Sequence, residues 1–254
     1  MPFTWAQPRG DGCSGHADGA AHRVRPDPPI AILQPGTRSY NRSWIRDGAM
    51  MAEGLNRLGM AEHSADYLRW YAPYVFENGK VPCCVDARGA DPVPENDSHG
   101  EFVFLAAEAY RYGGDAALLR QVWPQVQGAI RYMDELRAST RTAEFQTAET
   151  RHLFGLLPPT ISHEGYSAKA MHSYWDDFWG LLGYKDAVFI AETLGDAEVA
   201  ARYAAARDQF AADIRASIRA TATTKTVFTG AVTPPSEARS GTARPRLRPE
   251  PRRP

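Results

Sequence analysis

Three clusters of charged, polar and aromatic residues recur along the chain, each directly before a helical pattern. Apolar residues at helical spacing predict six helices, and the clusters precede the first, the third and the fifth. The clusters read NRSWIRDG (41–48), ENDSHGEF (95–102) and HSYWDDFW (172–179). Alternate helix N-termini would therefore face one common centre. This arrangement is typical of helical hairpins set side by side around a pocket.

The six predicted helices pair into three hairpins, because glycines and short polar turns separate the two members of each pair. Asp97 or Ser98 is expected to be the N-cap of the third helix, and Pro124 to start the main part of the fourth. The long loop between the second and third helices has room for a short β-hairpin. The expected helices cover residues 46–58, 62–76, 97–114, 115–137, 173–194 and 196–218.

These patterns divide the chain into three segments. Residues 1–38 are rich in Gly, Pro, Asp and Arg without periodicity and predict an irregular N-terminal arm, while residues 39–220 hold the helical domain. Residues 221–254 are dominated by Thr, Pro and Arg, which predicts a disordered tail. Two interpretations of the tail stay open: a basic interaction segment, or a chain end unrelated to the fold, as a truncated or out-of-frame product would give.

Composition and charge exclude several classes of protein. The chain has 254 residues, 43% hydrophobic and 23% charged, which is enough for a substantial core. No apolar run approaches the roughly 18 residues of a membrane span, and the first residues lack the apolar centre of a signal peptide. We therefore expect a cytoplasmic protein without membrane contact. The tail, residues 221–254, carries seven Lys/Arg against two Asp/Glu, but the remainder is acidic, which argues against nucleic-acid binding.

The cysteines carry little information. Cys13, Cys83 and Cys84 have neither the number nor the separation of a disulfide framework, and their spacing is not that of a zinc site. Nothing else in the sequence implies a metal or an organic cofactor, and we expect neither. The sequence does not indicate an oligomeric state.

The residue types in the three clusters suit a small carbohydrate as the binding partner. Aromatic rings stack on sugar faces, and charged groups bind neighbouring hydroxyls through two atoms, because a buried polyol needs many polar partners. The candidate sugar-binding residues are Tyr40, Trp44, Arg46, Asp47, Asp97, His99, His163, Glu164 and Trp175.

Asp176 and Asp177 are the candidates for a catalytic acid. Two adjacent carboxylates beside indole rings repel each other and are partly desolvated, which raises the pKa of one of them, as a general acid requires. Simpler structural explanations stay open for each cluster. Arg46 and Asp47 could form an ion pair at a helix start, Asp97 could be a cap, and the two aspartates could belong to a solvated acidic helix start.

Three stretches resemble the six-hairpin (α/α)6 glycosidases, the superfamily of glucoamylase and trehalase. They are RSWIRDGAMMAEGLNRLG (42–59), ENDSHGEF (95–102) and GYSAKAMHSYWDDFWGLLGYKDA (165–187). The resemblance implies that Arg46 and Asp47 bind hydroxyls of the sugar at the cleaved end. It also implies that Asp176, or Asp177 in second place, is the general acid.

The same resemblance implies an all-α fold, an incomplete (α/α)6 toroid with about three helical hairpins of six. A complete ring at the observed spacing needs well over ~300 residues, and in the family the general base lies on a later hairpin. The sequence therefore predicts a glycoside hydrolase-like protein for an α-glucoside or related sugar, with an inverting acid/base mechanism that this chain alone cannot complete. Water or phosphate could be the nucleophile.

Two other functions are compatible with parts of the pattern. A non-catalytic helical scaffold that binds a sugar or another protein fits the missing base. An isoprenoid cyclase would use DDFWG (176–180) to hold magnesium, but the third acidic residue of such a motif is absent and the loops are too polar for a hydrocarbon pocket.

Overall fold

The computed structural model describes residues 32–36, 41–162 and 167–226. Within these ranges the chain forms six α-helices and three very short strands, so the predicted all-α class with three hairpins is confirmed. The strands are β1 (Ser43–Trp44), β2 (Cys84–Asp86) and β3 (Gly89–Ala90). The helices are α1 (Ile45–Arg57), α2 (Ala61–Tyr71), α3 (Asp97–Gly113), α4 (Ala116–Thr140), α5 (Tyr174–Leu194) and α6 (Ala197–Thr226).

The helices form three antiparallel pairs, α1 with α2, α3 with α4, and α5 with α6, and α3 packs between α1 and α5. Helix α3 is the most enclosed element, with every residue from 97 to 109 buried. The apolar core lies between the first helices of the hairpins and their outer partners. Its largest fully buried side chains include Tyr67, Tyr71, Phe102, Leu105, Ile130, Met133, Tyr184 and Phe210.

Glycines allow α3 and α5 to approach until their backbones touch. A Cβ atom added at Gly100 would lie 2.0 Å from the carbonyl oxygen of Trp179, and one at Gly183 would lie 2.7 Å from the Cα atom of Gly100. Only a residue without a side chain fits such a contact. This close crossing brings the first turn of α3 beside the first turn of α5.

A second glycine fixes the start of α1. A Cβ atom at Gly48 would lie 2.1 Å from the hydroxyl oxygen of Tyr67, a fully buried side chain of α2. The Tyr67 hydroxyl also shares a hydrogen bond of 2.9 Å with Ser43. The glycine of the RDG sequence is therefore required by packing, and it holds Arg46 and Asp47 at the mouth of the helix.

The three short strands form one antiparallel sheet beside the start of α1. Trp44 pairs with Cys84, and Val85 pairs with Ala90. The expected hairpin in the long loop is thus present as β2 and β3, and β1 adds a strand that the sequence did not indicate. The N–H of Ile45 also donates to the Cys83 carbonyl, so the sheet and α1 are continuous.

Two expected details of the helix starts are wrong, although α3 and α4 begin within one residue of the expected positions 97 and 115. Helix α4 begins at Ala116, because the Asp115 carboxylate accepts the N–H groups of Ala117 and Leu118, and it continues through Pro124. Helix α3 begins at Asp97 itself, with Asn96 as the N-cap residue. Asp97 is therefore the first helical residue, and its carboxylate bonds to side chains of other helices.

Both ends of the chain lie largely outside the described residues. Of the predicted arm 1–38 the structure describes residues 32–36, and of the predicted tail 221–254 it describes residues 221–226, where α6 continues to Thr226. In the described part of the chain, no helix has both the length and the apolar character needed to cross a membrane.

Candidate functional site

Arg46 lies at the centre of a buried polar cluster. Its Nε and Nη2 atoms donate to Asp97 Oδ2 at 2.8 and 2.6 Å, and Nη2 also donates to Glu95 Oε2 at 3.2 Å. Burial disfavours the charged guanidinium, but the carboxylates of Asp97, Glu101 and Glu95 outweigh burial and raise the pKa of Arg46. The arginine of the first sequence cluster therefore bonds to acids of the second.

Asp97 connects this arginine to the third cluster. It is 1% exposed, and its Oδ2 accepts the indole N–H of Trp175 at 2.8 Å as well as the Arg46 donors. The Arg46 guanidinium carbon lies 6.0 Å from the centre of the Trp175 ring. Trp175 itself is 46% exposed, so the cluster presents a large, hydrogen-bonded aromatic surface at the protein boundary.

Asp176 is buried beside Asp97 and Arg46, with 4% of its surface exposed. Its Oδ2 accepts a hydrogen bond of 2.8 Å from the Thr160 hydroxyl. Burial raises the pKa of Asp176 to about 7, and the charges of Asp97 and Asp177 raise it further, whereas the Thr160 bond and Arg46 oppose the shift. A carboxyl group with this pKa can donate or accept a proton near neutrality.

Asp177 faces a different part of the molecule. Its Oδ1 accepts the backbone N–H of Leu157 at 2.9 Å, and it is 1% exposed. Burial raises its pKa to about 7, and the opposing influences are the Leu157 N–H and the charge of Arg137 on α4. Of the two adjacent acids, Asp176 therefore lies in the polar cluster, and Asp177 anchors the loop before α5.

We call Arg46, Glu95, Asp97, Glu101, Trp175 and Asp176 the Arg46 cluster. Glu101 is included because it is 0% exposed and its Oε1 lies 3.7 Å from Arg46 Nε. Arg46, Asp97, Trp175 and Asp176 were among the candidate site residues of the sequence. Glu95 and Glu101 belong to the ENDSHGEF motif but were not predicted as site residues. Their proximity to Asp97 in the sequence was the signal that could have indicated them.

Two further predicted residues lie at the start of α1, and three fall outside the described residues. Trp44 belongs to β1, where the Arg42 guanidinium lies 5.6 Å from its ring, and Asp47 is partly buried in the first turn of α1. Tyr40, His163 and Glu164 fall outside the described residues.

His99 is part of the core packing. It is 1% exposed, its Nδ1 accepts the Val81 N–H at 3.2 Å, and its ring meets Tyr132 edge-on at 5.0 Å. Burial lowers the pKa of His99 to about 3, and the charge of Lys80 contributes, so the imidazole is neutral and accepts at Nδ1. The structure therefore places His99 in the packing between α3 and its neighbours, and its expected role in sugar binding stays a prediction.

Within the described residues, one group of three side chains is close enough to hold a metal ion. The ligand atoms of Cys83, Cys84 and Asp91 lie within 4.8 Å of one another, with the two sulfurs 3.5 Å apart. Asp91 Oδ2 already accepts Arg42 Nη2 at 2.9 Å. Sequence spacing did not reveal this group, because a bend at Cys83 brings together two side chains that an extended strand would separate.

Two surface cavities lie away from the Arg46 cluster. One of about 750 Å³ adjoins the turn after α2 and the strand β3. The other, of about 350 Å³, is lined by Gln127, Arg131, Asp134, Arg202 and Tyr203. Neither contains a residue of the three sequence clusters.

No family model matches the chain, and no curated protein matches it. One solved structure with a similar fold is a rhamnosidase from Klebsiella oxytoca with rhamnose bound, at 17% identity and a TM-score of 0.53. The match covers 68% of this chain and 32% of that chain, so this chain spans about a third of that structure. The similarity confirms the fold class, a mostly α-helical fold of helical hairpins similar to part of that structure.

Proposed function

We propose that this chain is part of a glycoside hydrolase-like protein that binds an α-glucoside or related sugar at the Arg46 cluster. The observation that carries the proposal is the meeting of Arg46, Asp97, Trp175 and Asp176, from three different helices, in one cluster. A structural ion pair alone needs neither a half-exposed indole nor a carboxyl group that titrates near pH 7.

In this proposal the indole of Trp175 stacks on the apolar face of the sugar ring. Its N–H bond to Asp97 fixes the angle of the ring before the sugar arrives, which lowers the cost of ordering it on binding. Arg46 and Asp97 form the floor of the site, and the guanidinium provides charged donors suited to hydroxyl oxygens.

Asp176 would act as the general acid. With a pKa of about 7, a substantial fraction of Asp176 carries a proton at neutral pH and can transfer it to the leaving oxygen as the glycosidic bond breaks. Asp177 is the weaker candidate, because its Oδ1 is bound to the Leu157 N–H.

Inversion needs a second carboxylate, about 6.5–9.5 Å from the acid, to activate water. We assign no described residue to that role. A base on further hairpins agrees with the resemblance of the motifs and with the small share of the rhamnosidase that the chain covers. We therefore expect sugar binding, but not turnover, from these 254 residues alone.

A second candidate function is a helical scaffold that binds a sugar or a protein without catalysis. Two exposed aromatic residues on α5, Trp175 and Phe178, favour it, because they are 46% and 52% exposed and one helical turn apart. The two functions share the binding step and differ only in the proton transfer.

Titration of the purified chain with glucose, maltose and rhamnose, followed by tryptophan fluorescence, tests the binding step. We expect a saturable response with a dissociation constant on the order of millimolar, because Trp175 is half exposed to water and a polar ligand loses hydration on binding. Trp175→Phe and Arg46→Met should abolish the response. Trp123→Phe, on α4 beside Tyr203, is the matched control and should preserve it. A response that survives Arg46→Met would exclude this site.

A further inference from the structure

Glu101 is a buried acid whose hydrogen bonding is incomplete. It follows Asp97 by one helical turn on α3 and is 0% exposed. Within the described part of the chain, neither carboxyl oxygen of Glu101 has a hydrogen-bond donor, and the same is true of Asp97 Oδ1. The Nε atom of Arg46 lies 3.7 Å from Glu101 Oε1, which is too far for a hydrogen bond. The same Nε atom donates to Asp97 Oδ2 instead.

The surroundings of Glu101 contain more acid than base. From α1 it faces Arg46, from α2 the hydroxyl groups of Tyr67 and Tyr71, and from its own side Asp97 and Glu95. Asp176 adds a further carboxyl group from α5, next to Asp97. Among the residues that the structure describes, the Arg46 guanidinium pairs with three of these four carboxyl groups, Glu95, Asp97 and Glu101. A buried carboxylate without a donor is strongly unfavourable, so at least one of the four is expected to be protonated.

We infer that Glu101 carries a proton and donates it in a hydrogen bond to Asp97 Oδ1, which makes Glu101 a positioning residue for the sugar site. The spacing of four residues on one helix face puts the two side chains within reach of each other. One O–H group then gives a partner to the Asp97 oxygen that lacks one and removes the charge from Glu101.

The electrostatics of the cluster support the same assignment. Burial raises the pKa of Glu101 well above its usual range, and the charge of Asp97 raises it further, against the opposing charge of Arg46. Asp97 and Glu101 together then carry one negative charge, which Arg46 can balance.

The shared proton has a consequence for the proposed function, on which this step rests. With Oδ1 held by Glu101, Asp97 keeps Oδ2 directed at Arg46 and at the indole N–H of Trp175. Loss of the proton would leave two facing carboxylates, and their repulsion would displace Asp97 and release Trp175. Glu101 would thus set the upper pH limit of sugar binding without contacting the sugar.

The pH dependence of unfolding tests the proton independently of any ligand. If the folded chain retains a proton that unfolded Glu loses near its ordinary pKa of about 4.3, the unfolding constant rises about tenfold per pH unit above that pH. Glu101→Gln keeps a donor and removes the titration. The ratio of the parent unfolding constant to that of Glu101→Gln should therefore rise about tenfold per pH unit, and it should still rise above pH 7.

Asp176→Asn is the control, because the pKa of Asp176 is about 7. The ratio of the parent unfolding constant to that of Asp176→Asn should become constant above that pH. A ratio for Glu101→Gln that does not change with pH would show that Glu101 is ionised in the folded chain and would overturn the inference.

Infrared spectroscopy of the full chain decides the matter if Glu101→Gln does not fold. The parent chain, with carbon-13 in its glutamate carboxyl groups, should keep the isotope-shifted C=O stretch of a protonated carboxyl above pH 7. Absence of that band contradicts the inference. A parent chain that shows the proton but no response to glucose, maltose or rhamnose would reject the proposed function and leave the assignment of the proton intact.

Discussion

Helices α3 and α5 carry an arginine cluster at each end, and the two clusters differ in their balance of charge. At the far end, Arg111 donates to Glu108 and to Asp186 through different nitrogens, each at 2.6 Å, and its guanidinium lies 4.3 Å from the Phe189 ring. Its side chain is 31% exposed. There, one partly exposed arginine binds two buried acids, which is an ordinary way to join two helices.

The Arg46 cluster has the same kind of groups in a different proportion. Its arginine is 7% exposed and pairs with three carboxyl groups of the described residues, with a fourth, Asp176, nearby, and its aromatic partner, Trp175, is at the surface. Excess buried acid is unfavourable for folding, so its presence requires another reason, and ligand binding is one that also explains the exposed ring. The comparison shows that charge balance and aromatic exposure, not the presence of an ion pair, separate a candidate site from a structural bond.

The largest expected effect comes from removing each arginine. Arg46→Met leaves several buried carboxylates without a cation and should lower the free energy of unfolding by about 3–5 kcal/mol at neutral pH. Arg111→Met should cost less, about 2 kcal/mol, because Arg111 is itself 31% exposed and binds two buried acids. Urea denaturation measures both. Equal losses would remove the distinction between the two clusters.

Gly100 lies between the two clusters, and its replacement should disturb both. In Gly100→Ala the new Cβ would meet the Trp179 carbonyl, which α5 can avoid only by moving away, and we expect a loss of about 3 kcal/mol. Gly54→Ala on α1 is the control, since nothing lies within 4 Å of its added Cβ, and it should stabilise the chain by about 0.5–1 kcal/mol. Similar denaturation midpoints for both variants would contradict the close helix crossing.

One buried acid in each cluster should make the stability of the chain depend on pH, and the dependence should stop at a different pH for each acid. Burial raises the pKa of Asp176 to about 7 and that of Asp186 to about 6, above the ordinary Asp value of about 3.9. Each acid has a higher pKa in the folded chain than in the unfolded chain. Its contribution to stability is therefore complete below about pH 4 and is lost as the pH rises through the folded pKa.

Asp176→Asn should therefore gain stability relative to the parent chain by up to about 1.4 kcal/mol per pH unit between pH 4 and 7. Asp186→Asn should show the same trend only up to about pH 6. Thermal unfolding at a series of pH values gives the two curves. An Asp176→Asn difference that stays constant over this range would mean that Asp176 is ionised when folded, and it would remove the candidate acid.

The smallest effect is expected at the exposed aromatic residue. Trp175→Phe removes the indole N–H bond to Asp97 but keeps an aromatic ring, so the loss of stability should be about 1 kcal/mol. Its sugar response, measured by a calorimetric titration that does not depend on tryptophan, should fall much more than its stability. A loss of stability with unchanged sugar binding would make Trp175 a structural residue like Phe189.

Much of this architecture was predictable because it depends on local patterns. Apolar spacing located the hairpins, and the repeated clusters before alternate helices indicated which ends would meet. The errors occurred where a distant partner overrides a local preference. Pro124 looked like a helix start, but the Asp115 cap begins that helix two turns earlier. Asp97 was predicted to be an N-cap, but its carboxylate accepts hydrogen bonds from Arg46, 51 residues away in the sequence.

The sequence by itself determined which residue types crowd the helix starts, since charge, aromatic character and helical period are properties of the chain. Only the tertiary structure decided their roles. Asp176 and Asp177 are adjacent and identical in chemistry, yet one faces Asp97 and the other the Leu157 N–H, because successive residues of a helix point about 100° apart. Whether each aspartate belongs to the site depends on the groups that it meets, which are Asp97 on α3 and the Leu157 N–H in the loop before α5. Both groups come from distant parts of the chain.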